Sequence, residues 1–226
     1  MKSILLIGSV LFQSFIFGQN SKTIQFVPLF NNLSLELGKN YTLNDSTWFQ
    51  ISTCRFYLSN LAFYKDGKLK EKVNEFYLLD IEEPTSFLIE IKKGDYDEIS
   101  FTIGIDSSTN VAGILDGVLD PINGMYWAWN SGYINFKLEG ISSESTEKNK
   151  SFEFHLGGYL APYQTIQTVN LPILKDSNVL LIGFDIATFI SNIDFNISPN
   201  VMIPGLNAVK LSSVLPSIFT VLPNEN

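Results

Sequence analysis

The chain is short of the residues from which active sites are usually built. It has one cysteine and one histidine in 226 residues. A single thiol, Cys54, has no partner for an internal disulfide, which excludes a stapled scaffold. So few soft ligands also exclude a multi-thiolate zinc site. A Ser-His-Asp or Cys-His arrangement has almost no members to draw on. There is no G-x-S-x-G, H-E-x-x-H, C-x-x-C or phosphate-loop pattern. The carboxylates are scattered, and nothing singles out two of them for glycosidase chemistry. The chain therefore reads as a binding protein and not as an enzyme. Cationic residues are also few: 15 Lys and Arg stand against 23 Asp and Glu, for a formal net charge of −8. No basic patch is present, which argues against a nucleic-acid partner.

Acidic residues are missing before Glu36. Met1-Lys2 leads into Ile4-Leu5-Leu6-Ile7 and an apolar run to Phe17. A short basic start followed by a short apolar run is the pattern of a secretory leader. It is too short, and too interrupted by Gly8, Ser9, Gln13 and Ser14, for a membrane span. Cleavage after Gly18 is expected, although Ile16 is not the small residue preferred at the third position back. The alternative is a first buried strand. Removal of residues 1–18 leaves 19–226 as a single β domain, exported to the periplasm or cell exterior, with no membrane span.

Hydrophobic periodicity is that of β-structure almost throughout. Strands are expected at residues 23–27, 33–37, 49–58, 60–64, 76–81, 86–91, 98–103, 133–138, 151–156, 164–171 and 178–185. Lys65-Asp66-Gly67-Lys68 reads as a tight hairpin turn, because Asp-Gly accepts positive φ at little cost. Cys54 shares a strand face with Phe56 and Leu58, which suits a buried, inert thiol. The polar stretch 142–150 reads as a mobile hairpin loop. Residues 207–214 have the spacing of a short helix. Strands at regular spacing predict an all-β, antiparallel two-sheet sandwich of immunoglobulin-like type. Its expected core includes Ile99, Phe101, Ile103, Ile134, Phe136, Phe152, Phe154, Leu180, Ile182 and Phe184. A long irregular insertion at about 105–132 breaks the rhythm, and long loops on β scaffolds carry function.

What the chain does have is concentrated. Met125-Tyr126-Trp127-Ala128-Trp129 holds two of the three tryptophans, and the lone His155 follows in Phe154-His155-Leu156-Gly157-Gly158. Alternation puts Phe152, Phe154 and Leu156 on one face and Glu153 and His155 on the other. His155 is then either an ordinary surface histidine or a metal ligand, since neutral imidazole is the commonest such ligand. Met125, Trp127 and Trp129 suit core packing. Equally, a thioether beside imidazole suits Cu(I). Asp106, Asn110, Asp116 and Asp120 offer oxygen ligands for calcium, without matching the twelve-residue calcium-loop spacing. They also suit turns, where Asp and Asn are favoured. A further reading uses Tyr126, Trp127, Trp129 and Tyr133 as an aromatic surface for a partner protein or glycan, without metal.

In order along the chain come Phe56-Tyr57-Leu58-Ser59-Asn60-Leu61 before the Asp66-Gly67 turn, then Phe101-Thr102-Ile103-Gly104-Ile105-Asp106, then Asn110. The block Gly124-Met125-Tyr126-Trp127-Ala128-Trp129-Asn130-Ser131-Gly132-Tyr133 and Phe154-His155-Leu156-Gly157-Gly158 complete the set. In this the chain resembles the MbnP-like copper-binding domain family, and in style its Bacteroidetes-type members. That family includes exported proteins found beside methanobactin genes. The resemblance implies an exported β domain that binds copper through histidines and a tryptophan oxidised to kynurenine by a di-haem partner of the MauG type. It places the oxidised residue at Trp127 or Trp129 and a ligand at His155. The chain departs from the pattern twice. It reads Asn110-Val111 where copper-binding members often read Asn-His, and Met202-Ile203-Pro204 where some carry a histidine after methionine. One chain therefore cannot supply a two-histidine site, and copper would fall near His155 and the Met125–Trp129 block.

Overall fold

Alternating apolar residues such as Ile99, Phe101 and Ile103 need a second apolar surface to cover them, and two stacked sheets provide it. A computed structural model describes residues 21–223, apart from 45, 131, 174–176 and 196–197. The expected leader at 1–18 lies outside the described residues. The strands are β1 (Ser21–Phe30), β2 (Leu33–Ser34), β3 (Asn40–Asn44), β4 (Thr47–Lys65), β5 (Lys68–Val73), β6 (Tyr77–Asp80), β7 (Leu88–Lys92) and β8 (Glu98–Ile103). They continue as β9 (Tyr126–Trp127), β10 (Gly132–Ser142), β11 (Ser151–Gly157), β12 (Gln167–Pro172), β13 (Val179–Asp185), β14 (Asn200–Val201) and β15 (Phe219–Val221). Among the described residues three short α-helices, besides five 3-10 turns, join them: α1 (Ser107–Ala112), α2 (Ile186–Ile190) and α3 (Leu206–Ser212). Helix α3 falls where the spacing of 207–214 predicts one; α2 has no such signal. Among the described residues no helix is long and apolar enough to cross a membrane.

The larger sheet runs β12-β8-β4-β10-β11-β14, with β3, β5 and β6 also paired to β4 and β9 paired to β10. The smaller runs β15-β13-β1-β2, with β7 also on β1. Both sheets are mixed, not purely antiparallel, because β1 pairs parallel to β13 and β11 parallel to β14. The strands of each pair are far apart in sequence, so no tight turn fixes their direction. Strand β4 is one continuous element where the sequence reads as two. Asn60 sits at φ 50 and the register shifts between Ser59 and Ala62, so the apparent break is a bulge. At the Asp66-Gly67 turn both residues have positive φ, and Lys65 faces Lys68 as in a two-residue hairpin.

The core lies between the sheets and is rich in phenylalanine. Phe56 meets Phe184 edge-on at 5.2 Å, and Phe101 meets Phe219 at 5.3 Å. Such edge-to-face pairs add about 0.5–1.5 kcal/mol each beyond area burial. Cys54 is buried here with Phe56 and Leu58, and burial pushes its thiol pKa up, with Asp80 adding to the effect. Of the expected core, Leu180 is only partly buried and Ile134 belongs to a second cluster. The reason for Ile134 is a register shift between it and Phe136, which breaks the simple alternation of β10. Stretch 142–150 is tied down and not left free. Thr47 Oγ1 donates to Glu144 at 2.8 Å, Trp48 N to Ser143 Oγ at 3.1 Å, and Lys150 Nζ to the Ser145 carbonyl at 3.1 Å. Short polar side chains there satisfy backbone groups, which polarity alone does not reveal.

The insertion between β8 and β10 folds back over the outer face of the larger sheet. Tyr57 donates to the Val118 carbonyl at 3.0 Å, and Tyr133 to the Gly113 carbonyl at 3.1 Å. Arg55 pairs with Asp80 at 2.7 Å, pairs with Glu82, and donates to the Asn123 carbonyl at 3.1 Å. Beneath this cover lies the second apolar cluster: Tyr57, Ile105, Leu119, Met125, Trp127, Tyr133 and Ile134.

Candidate metal site on the outer face of the larger sheet

Strand β11 sends Phe152, Phe154 and Leu156 into the main core. His155 and Glu153 therefore point to the outer face. The neighbouring strand β10 sets Lys137 opposite His155 and Glu139 opposite Glu153. His155 is not a plain surface histidine, since only 8 % of it is exposed. Its Nε2 lies 2.7 Å from Glu139 Oε1, and Lys137 Nζ lies 3.2 Å from the same oxygen. The hydrogen bond from His155 holds the Glu139 pKa down to about 2; burial opposes this and Lys137 assists. Imidazole Nδ1 has no hydrogen-bond partner among the described residues. Sequence reading passes over Glu139. The available signal was its spacing, two positions from Lys137 on a strand whose intervening residues are apolar.

The next outward position on β11 is Gly157, roughly 7 Å further along the strand. Trp127 packs on it: a Cβ at 157 would lie 2.7 Å from Trp127 Cζ3. Strand β9 delivers Trp127 by pairing Trp127 with Gly132 and Tyr126 with Tyr133. The four candidate residues thus separate by environment. Trp127 is buried, on the same face as His155. Met125 has no exposure and packs with Tyr57, Ile105, Leu119, Tyr133 and Ile134, a setting typical of core methionine. Trp129 is 65 % exposed, its ring centroid 5.7 Å from that of Trp127. It forms one wall of an apolar groove of about 390 Å³ that also includes Leu160, Tyr163, Ile203 and Pro204.

Asn110 is structural. Its Oδ1 accepts from Tyr133 N at 2.9 Å, and its Nδ2 donates to the Ile105 and Asp106 carbonyls at 3.0 Å each. Val111, which follows it, points to solvent. Two acids of the insertion, Asp106 and Asp120, serve as caps, whereas Asp116 makes no side-chain cap bond. Asp106 accepts from Thr109 N and Thr109 Oγ1 at 2.8 Å each, and Asp120 accepts from Ile122 N at 2.8 Å. These roles leave calcium without support. Among the described residues no three His, Cys, Asp or Glu side chains come together to hold a metal. The described residues bring together one imidazole, anchored by Glu139, and no second metal donor beside it.

The MbnP family model matches residues 19–203. Among solved structures, the chain is similar to MbnP from Methylosinus trichosporium, with a TM-score of 0.52 and 12 % identity. That likeness covers 76 % of this chain and 77 % of the other, and at such identity it speaks for the fold. No curated protein matches the sequence.

Proposed function

The chain belongs to the MbnP family, and from that premise we propose that it is an exported copper-binding protein that holds Cu(I) at His155 beside Trp127. It acts in the periplasm or outside the cell as a carrier or store and not as a catalyst. The observation that carries the reading is the state of His155: buried, fixed through Nε2 to Glu139, and next to the Trp127 contact at Gly157. An oxidised indole at Trp127 or Trp129, produced by a di-haem MauG-type partner, supplies the further donor that the family resemblance implies. With one imidazole, copper binds more weakly than in a two-histidine relative, and the soft cuprous ion is the better match. Met125 is a ligand only if its burial is relieved.

A second reading rests on the exposed Trp129 and its apolar groove, which suit a partner protein or glycan without metal. Metal analysis and intact mass of protein from its native host separate the two. Copper together with an oxidised tryptophan is the expected result. Cu(I) competition against a chelator should show at least a tenfold loss, about 1.4 kcal/mol, for His155→Ala relative to wild type. Recombinant protein made without the partner should be copper-poor, with unmodified tryptophan mass. Copper-free native protein, with equal affinity in both forms, would discard copper and leave the interaction module.

A further inference from the structure

We infer that the groove beside Trp129 is a binding site for a neutral oligosaccharide. This narrows the second reading above from a partner protein or glycan to a glycan, and it is independent of copper. The walls come from three separate segments. Trp129 follows β9, Tyr159, Leu160 and Tyr163 lie in the loop after β11, and Ile203 and Pro204 follow β14. Trp129, Leu160, Tyr163 and Ile203 are all exposed. The volume of about 390 Å³ falls within the range of about 300–1,000 Å³ usual for small-ligand sites.

Three features select the occupant. The first is charge. The chain has 15 basic and 23 acidic residues, yet no residue lining the groove is charged. An ionic ligand would lose hydration there and gain no counter-charge. The second is the mixture of apolar and polar groups. Trp and Tyr rings bury flat area at little entropic cost, which suits the C–H faces of pyranose rings. Asn130, Tyr159 and Tyr163 line the groove, and their side-chain amide and hydroxyls bond to no described residue. Each of these groups both donates and accepts, as sugar hydroxyls do. A purely apolar occupant would strip them of water without replacing it. The third is the state of the backbone. The Gly158 carbonyl accepts from Thr165 N at 3.0 Å and Thr165 Oγ1 at 3.3 Å, and the Leu160 carbonyl from Tyr163 N at 2.8 Å. The Tyr159 carbonyl accepts from Ser107 Oγ at 2.8 Å and Gln164 Nε2 at 3.3 Å. An extended peptide therefore finds no ladder of open carbonyls for its N–H groups. The same bonds hold the loop in shape. Thr165 is fully buried and accepts from Asn135 Nδ2 at 2.9 Å, which anchors the loop to β10. A preformed groove lowers the ordering cost of binding.

The test titrates untagged, metal-free recombinant full chain with maltohexaose, cellohexaose and chitohexaose, with affinity read by ligand-observed NMR. At least one of these neutral sugars should bind. Trp129→Ala should weaken that binding about tenfold or more, and Trp129→Phe, which keeps a ring, should weaken it less. Tyr163→Phe removes only a hydroxyl and should cost about threefold. Hexagalacturonate, an acidic sugar of the same length, should bind at least about tenfold more weakly than the neutral one. Failure of all the neutral sugars, wild-type affinity in Trp129→Ala, or equally tight hexagalacturonate overturns the site. Decaproline is the peptide control. If it binds wild type but not Trp129→Ala, and no sugar binds, the glycan is overturned and the groove belongs to a protein partner. If neither sugar nor decaproline binds, the second reading falls together with the glycan. Metal is absent throughout, so the copper reading stands or falls on its own measurements.

Discussion

Trp127 rests directly on the backbone of Gly157, so closely that a methyl group at 157 would lie 2.7 Å from its Cζ3 atom and 2.6 Å from the Tyr133 carbonyl oxygen. One contact is with an aromatic ring and the other with backbone, so neither can be relieved by a flexible side chain. Gly157→Ala should displace Trp127 and cost about 1–3 kcal/mol. Urea unfolding measures the loss. Because Trp127 moves toward water, its fluorescence should shift to the red. Unchanged stability and emission would show that the contact is looser than described.

Asn110 makes a separate demand. It satisfies the Tyr133 amide and two carbonyls while being 3 % exposed. Asn110→Ala should cost about 1–3 kcal/mol, because buried backbone groups lose their partners. Asn110→Asp keeps an acceptor for the Tyr133 amide but cannot donate to the Ile105 and Asp106 carbonyls, so it should not restore the wild type. Amide exchange at Tyr133 distinguishes them: fast in the alanine variant, slower in the aspartate variant.

Arg55 ties the insertion to the sheet. Its guanidinium reaches Asp80, Glu82 and the Asn123 carbonyl, and burial, which lowers its pKa, is outweighed by the two carboxylates. Arg55→Met keeps the stem and removes the fork. Hydrogen exchange should accelerate across residues 113–125 while the main core, around Phe101 and Phe184, remains protected. Equal acceleration in both regions would mean that Arg55 supports the whole fold and not the insertion.

The sandwich was legible because its strands alternate with period two, as in Ile99 to Ile103, and because Asp66-Gly67 announces its own turn chemistry. The parallel pairing of β1 with β13 was not, since register between distant segments has no local signal. Ile134 is buried as expected, but in the second cluster, for a related reason: one bulge reverses a face, and a bulge depends on pairing partners that the sequence does not display. The site divides in the same way. His155 could be put on an outer face from alternation, and Trp127 and Trp129 stand out by composition. That Trp127 is buried against Gly157 while Trp129 projects into solvent is a matter of tertiary packing. Glu139 lies sixteen residues from His155, joined to it only by hairpin register.

The insertion also carries a pH-sensitive cap. Asp106 precedes α1 and accepts hydrogen bonds from Thr109 N, Thr109 Oγ1 and Ser108. Burial pushes its carboxyl pKa up, but these bonds outweigh burial and hold it below the ordinary value of 3.8. A carboxyl with a depressed folded pKa contributes stability that is fully present above its unfolded value. That contribution is lost as pH falls through the folded value. Asp106→Ala removes the cap and should cost about 0.5–2 kcal/mol near neutral pH. Asp106→Asn can still cap the helix but does not titrate. The stability advantage of wild type over Asp106→Asn, measured by urea unfolding, should therefore hold from neutral pH to about 5 and shrink below 3.8. An advantage that grows on acidification would contradict the sign of the shift, and with it the view that Asp106 caps α1 as a carboxylate.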